Sequence, residues 1–152
     1  MAKEIGPKAL TKNPALKPFT QLIGEWQLTG THPYFPGVEL HGRASFNWHE
    51  GGAFIIVHSQ IDHEEFPDGV EIFGSDNVSK EYFMIHFDER GTSRWYNVSV
   101  QPDGIKWWRD NPDFSQAFSL VVQDANTMTS SGRMRQQGKD WEDDLALSYK
   151  RM

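Results

Sequence analysis

The chain contains no cysteine, which excludes disulfides, thiolate metal sites and a cysteine nucleophile. It has no unbroken apolar run of the roughly 18 residues that a membrane-spanning helix needs. Positive charge is in deficit, with 15 Lys and Arg against 21 Asp and Glu and a formal net charge of −6. That balance speaks against non-specific binding to nucleic acid or to an anionic membrane. Basic residues and aromatics do not interleave along any strand in the manner of a single-strand nucleic-acid platform. Also missing are a glycine-rich phosphate loop, a Gly-x-Ser-x-Gly elbow and a His-Glu-x-x-His pair. No repeat or low-complexity tract divides the chain. The first residues hold no apolar stretch of the signal-peptide kind, so a cytoplasmic protein is the expectation.

Aromatics, by contrast, are abundant. They make up 13% of the 152 residues, within a hydrophobic share of 38%, which marks a globular chain with one core. Residues 1–12 are polar and expected to be a mobile segment; 13–152 read as a single domain. Asn13-Pro14 suits a helix start and Gly24 its stop, with Leu16, Phe19, Leu22 and Ile23 on one face. Pro18 would strain a helix begun at Pro14.

After Gly24 the pattern becomes alternation interrupted by turn residues, among them Pro33–Gly37, Glu50-Gly51-Gly52, Pro102-Asp103-Gly104 and Gln136–Gly138. The interruptions imply about ten short strands joined by short loops, and hence antiparallel neighbours. An open meander of that size leaves two exposed edges. The fold expected is therefore all-β: an antiparallel up-and-down barrel of about ten strands with a short helix over one end.

Register can be argued for several hairpins. A two-residue turn at Gly51-Gly52 places Phe46 and Trp48 on one face with Ile55, Val57 and Ser59, leaving His58 and Gln60 outside. A three-residue loop would turn His58 inwards, and the first option separates apolar from polar residues more cleanly. A three-residue loop at Pro102–Gly104 puts Trp108 inside with Tyr96, Val98 and Val100, and Trp107 outside with Trp95. Phe83, Ile85 and Phe87 read as inward and His86 as outward, near Asp88. A two-residue turn at Gln137-Gly138 pairs Ser130 with Leu145, and Asp143 with Gly132, in a stripe shared with Trp141, Leu147 and Tyr149. Asp143 is then either a barrel-end group that reaches water or a buried acid serving a ligand.

Gly24-x-Trp26, Gly30 and Pro33-Tyr34-Phe35-Pro36-Gly37 resemble the opening of nitrobindin-type barrels. Phe46-Asn47-Trp48-x-x-Gly51-Gly52-Ala53-Phe54 and the ending Trp141-x-x-Asp144-Leu145-x-x-x-Tyr149-x-Arg151 are similar to lipocalin-like (calycin) bacterial barrels. The resemblance implies that Trp26 closes the barrel floor and that Arg151 stacks over its ring. Nitrobindins bind haem through a histidine near the C-terminus. This chain has none after His86, so haem is not carried over and no cofactor is expected.

The six histidines, His32, His41, His49, His58, His63 and His86, never fall in His-x-His spacing, and they read as surface residues rather than a metal site. Asp62-His63-Glu64-Glu65, with Asp68 and Glu71, reads as a solvated acidic turn. Three functions remain. The leading one is a barrel, monomeric or homodimeric, that binds a small, largely apolar molecule through Phe46, Trp48, Tyr96, Trp108, Gln116, Phe118 and Asp143. The second is an enzyme using Asp143 as acid or base on a lipophilic substrate. The third is a structural or dimerising domain with a filled barrel and contacts through Trp95 and Trp107.

Overall fold

The computed structural model describes residues 12–152; the segment expected to be mobile lies, apart from Lys12, outside them. Ten strands follow a short helix: β1 (Gly24–Thr31), β2 (Leu40–Trp48), β3 (Ile55–Ile61), β4 (Gly69–Ser75), β5 (Tyr82–Asp88), β6 (Ser93–Gln101), β7 (Gly104–Arg109), β8 (Phe114–Asp124), β9 (Thr127–Gln136) and β10 (Glu142–Arg151). Each pairs antiparallel with its sequence neighbours, and β1 pairs with β10 to close the barrel. Closure leaves no unpaired strand edge among the described residues. Among the described residues no helix is long and apolar enough to cross a membrane.

The helix over one end is a 3-10 helix, Pro14–Leu22, capped by Asn13, whose Oδ1 accepts the Ala15 N–H at 3.0 Å. Three residues per turn align Leu16, Phe19 and Leu22, which are all buried, and leave Ile23 outside the row. Pro18 has no N–H to give the Ala15 carbonyl, and the Tyr82 hydroxyl donates to it instead at 2.7 Å. Phe19 packs edge-on to Tyr82 and against Phe73.

Beneath that helix Trp26 is fully buried, and its Nε1–H donates to the Leu22 carbonyl at 2.9 Å. The Arg151 guanidinium lies 4.2 Å from the Trp26 ring. Its nitrogens donate to the carbonyls of Ile23 (2.7 Å), Ala125 (2.9 Å) and Gln21 (3.1 Å). Gly24 has a φ of +137°, and a Cβ there would collide with Arg151 Nη1, so the glycine of Gly-x-Trp makes room for the cation. Arg151 thus lies over the Trp26 ring beside the 3-10 helix.

Candidate functional site

Away from the helix the barrel encloses a cavity of about 430 Å3, a size typical of small-molecule sites. Its floor is apolar, formed by Leu28, Phe46, Val57, Phe73, Met84 and Leu120. Tyr149 and Ser130 add hydroxyls there, 3.3 Å apart, and burial pushes the Tyr149 phenol up to about 12. The aromatics therefore do not fill the lumen. The cavity reaches the far end, where Phe66 and Pro67 of the loop after β3 line it. Phe66 packs there against His32, Phe35 and His63 at ring distances of 5.4–5.8 Å.

Phe46, Tyr96, Gln116 and Phe118 line the cavity as the alternation places them. His58 and Gln60 are outside, because the Phe46–Val57 and Trp48–Ile55 pairs adopt the register that segregates apolar from polar. Trp48 shares that inner parity but lies near the helix end, packed on the core and outside the cavity lining.

Three strands differ from the expected facing. In β7 the turn is only Pro102-Asp103, so Gly104 pairs with Gln101 and Trp107, not Trp108, lies across from Val98. Gly104 serves a close approach rather than a left-handed turn: a Cβ there would collide with the Leu120 carbonyl oxygen. Trp107 accordingly stacks on Phe118 at 5.4 Å and 6°, and Trp108 is on the outer surface.

In β5 both parities are apolar, and packing selects Tyr82, Met84 and His86 for the inside. Phe83, Ile85 and Phe87 face outwards, with Phe83 stacked on the exposed Trp95 at 4.5 Å. His86 is thus an inward residue.

In β10 one extra residue is inserted between the Asp143–Arg133 and Ala146–Ser131 pairs. This bulge flips the parity along the strand. Leu145, Leu147 and Tyr149 face in as expected, but Ser130 lies across from Leu147. Trp141 is half exposed under Arg135, and the Asp143 side chain is 80% exposed, 3.9 Å from Arg133. Gly132 opens no space beside it, since the Phe118 ring occupies the place of its missing Cβ.

On β10 the carboxylate that faces in is Asp144. Its Oδ2 accepts Gln116 Nε2 at 2.8 Å, and its Oδ1 accepts the Leu145 N–H at 2.7 Å and His32 Nε2 at 3.1 Å. His32, expected on the surface, is buried; its Nδ1 accepts the Tyr34 N–H at 3.0 Å, which leaves the ring hydrogen on Nε2. The Tyr96 hydroxyl donates to Gln116 Oε1, completing a chain from β6 to the loop after β1. Burial raises the Tyr96 phenol, opposed by the nearby Arg94 and Arg109 charges.

A second polar group faces in from β4, β5 and the turn after β5. Glu71, read as part of an acidic turn, is paired across the sheet with His86, which is paired with Arg94. His86 Nε2 lies 2.9 Å from Asp88 Oδ2, and Nδ1 lies 3.8 Å from Glu71 Oε1. Arg90 grips Asp88 in a fork of 3.1 and 2.8 Å. Burial pushes the His86 pKa down, but the hydrogen bonds and charges of Glu71 and Asp88 outweigh it and leave the pKa above its ordinary 6.5. Asp88 is held well below its ordinary 3.8, chiefly by the Arg90 fork, against a smaller opposing effect of burial.

The signs of these shifts define a window. Asp88 contributes stability above 3.8, which is lost as pH falls; His86 contributes below 6.5, which is lost as pH rises past its raised value. Thermal midpoints should therefore peak between those limits. Asp88→Asn should flatten the acid limb and His86→Gln the alkaline one; profiles that superimpose on the parent's would refute the assignment.

Neither inward histidine suits haem iron. His32 uses both ring nitrogens, and His86 sits between two carboxylates that favour its protonated form. Among the described residues no group of His, Asp and Glu has metal-holding geometry.

Solved structures that share the fold include the following two. The crystal structure of Rv2717c from M. tuberculosis has a TM-score of 0.67 at 19% identity, covering 93% of this chain and 99% of that one. The S-type phycobiliprotein lyase CPES from Guillardia theta has a TM-score of 0.57 at 8% identity, covering 88% of this chain and 90% of that one. No protein-family model and no curated protein matches the sequence. At these identities the likeness concerns the fold alone.

Proposed function

We propose that the barrel holds a small, largely apolar molecule with a polar end in its lumen. The cavity of about 430 Å3 carries this reading: its floor is hydrocarbon and aromatic, while Glu71, His86, Arg94 and Gln116 add a few polar groups to its wall. That division suits an amphiphile, because desolvating the floor favours binding and the few polar groups orient the guest. Barrels of similar fold include one named as a phycobiliprotein lyase. The acid–base reading loses its residue, since Asp143 lies on the outer surface.

Ala44 lines the cavity from β2 and is buried, so a larger side chain there takes up lumen volume. An apolar fluorescent probe such as N-phenyl-1-naphthylamine should bind the parent and bind Ala44→Phe roughly tenfold more weakly, about 1.4 kcal/mol. Equal binding by a folded Ala44→Phe would place the probe outside the lumen. Native mass spectrometry of protein from its own host should reveal a retained small molecule.

A further inference from the structure

Among the described side chains that line the cavity, one carries a buried polar atom without a hydrogen-bond partner. Asp144 has Gln116, His32 and the Leu145 N–H, and Asp88 has Arg90 and His86. Glu71 has less. Its Oε1 accepts the Ser59 hydroxyl at 3.4 Å and faces His86 at 3.8 Å, whereas Oε2 is buried with no hydrogen-bond partner among the described residues. A carboxylate oxygen buried without a hydrogen-bond partner in the protein is costly, and native structures rarely keep one without a use. Glu71 lines the cavity, with Val57 across the β3–β4 pair from it and His86 across the β4–β5 pair.

Resting on the reading of the lumen as a ligand site, we propose that Glu71 Oε2 accepts a hydrogen bond from a hydroxyl group of the bound molecule. The ligand class is then a lipophilic alcohol or phenol whose carbon skeleton lies on the floor of Phe46, Val57, Phe73 and Met84. The surrounding charges select a neutral donor. Glu71 and Asp88 stand against His86 and Arg90, and the two carboxylates favour the positive form of His86. Arg94, across the β5–β6 pair from His86, adds a further positive charge, and its guanidinium lies 4.6 Å from the Phe114 ring. An ammonium placed at Glu71 would stand beside His86, whose positive form the two carboxylates favour. A carboxylate placed there would meet Glu71 itself. A hydroxyl meets neither cost, and hydrogen bonds to a charged acceptor are among the stronger ones.

The test compares three probes of one skeleton: 2-naphthol, its methyl ether 2-methoxynaphthalene, and 2-naphthoate. Dissociation constants are measured at neutral pH for the full chain and for Glu71→Gln. Naphthol should bind the parent roughly tenfold more tightly than the ether, and in Glu71→Gln the preference should fall to about threefold or less while ether affinity is kept. Equal affinity of the parent for naphthol and ether overturns the assignment and leaves the lumen reading intact; this comparison needs no variant to fold. A preference that survives Glu71→Gln, or naphthoate binding tightest, also overturns it, the latter by giving the polar end to Arg94. If none of the three binds, the lumen reading falls as well.

Discussion

Replacing Trp26 with alanine should cost about 3–5 kcal/mol of folding stability, the range for truncating a large buried aromatic. The residue is fully buried, donates to Leu22 at 2.9 Å, and meets Tyr149 edge-on at 6.4 Å. Beneath Arg151 it also supplies the ring on which a cation rests. Alanine would leave a cavity under the 3-10 helix, and the Leu22 carbonyl would lose its donor. The helix should loosen with it, because Leu16, Phe19 and Leu22 pack into the same core. Loss of this size is a large share of the roughly 5–15 kcal/mol that stabilises an ordinary domain. Urea unfolding of the parent, Trp26→Ala and Trp26→Phe measures it; Phe should restore much of the loss, since it refills most of the volume. An alanine variant as stable as the parent would remove Trp26 from the core.

Neighbouring carboxylates on β10 should behave in opposite ways. Asp144→Leu is expected to destabilise by about 2–4 kcal/mol, because it strips acceptors from buried donors on His32 and Gln116 and from the Leu145 N–H. Asp143→Leu should leave the melting temperature close to the parent's, since that side chain is 80% exposed and its contact with Arg133 is a surface ion pair at 3.9 Å. Asp144→Asn should fall between them, keeping one acceptor. A reversed order, with Asp143 the sensitive position, would mean that the bulge lies elsewhere on the strand.

That pair shows where sequence reading stops. In a strand the facing of every residue follows from one register, and a single inserted residue reverses it. The sequence marks Leu145, Leu147 and Tyr149 as an alternating apolar stripe, and they do face in. It carries no signal for an extra residue between Asp143 and Ala146, so extending the stripe backwards reaches Asp143 and Trp141 rather than Asp144. The hydrogen bond between His32 and Asp144 joins residues 112 positions apart and forms only once the barrel closes. No local pattern could have connected them.

Strand number, antiparallel order and the covering helix were legible because they rest on local features: turn residues recur at short intervals, and Asn13-Pro14 marks a helix start. The Trp26–Arg151 contact came from the resemblance instead, since it joins distant parts of the chain. The facing of β5 was not legible, since Phe83, Ile85 and Phe87 alternate as cleanly as Tyr82 and Met84 do. Packing against Phe73 and Tyr96 decided it, and by parity carried His86 inwards to Glu71. The choice between Trp107 and Trp108 turned on whether Gly104 belongs to the turn or to the strand, and the Leu120 carbonyl, on the next strand, settled that. The sequence by itself thus determined a closed ten-stranded barrel with an aromatic-rich interior. Which polar groups enter that interior was decided only by the tertiary structure, because a bulge or a one-residue turn shift costs little locally and yet reverses the facing of the residues that follow.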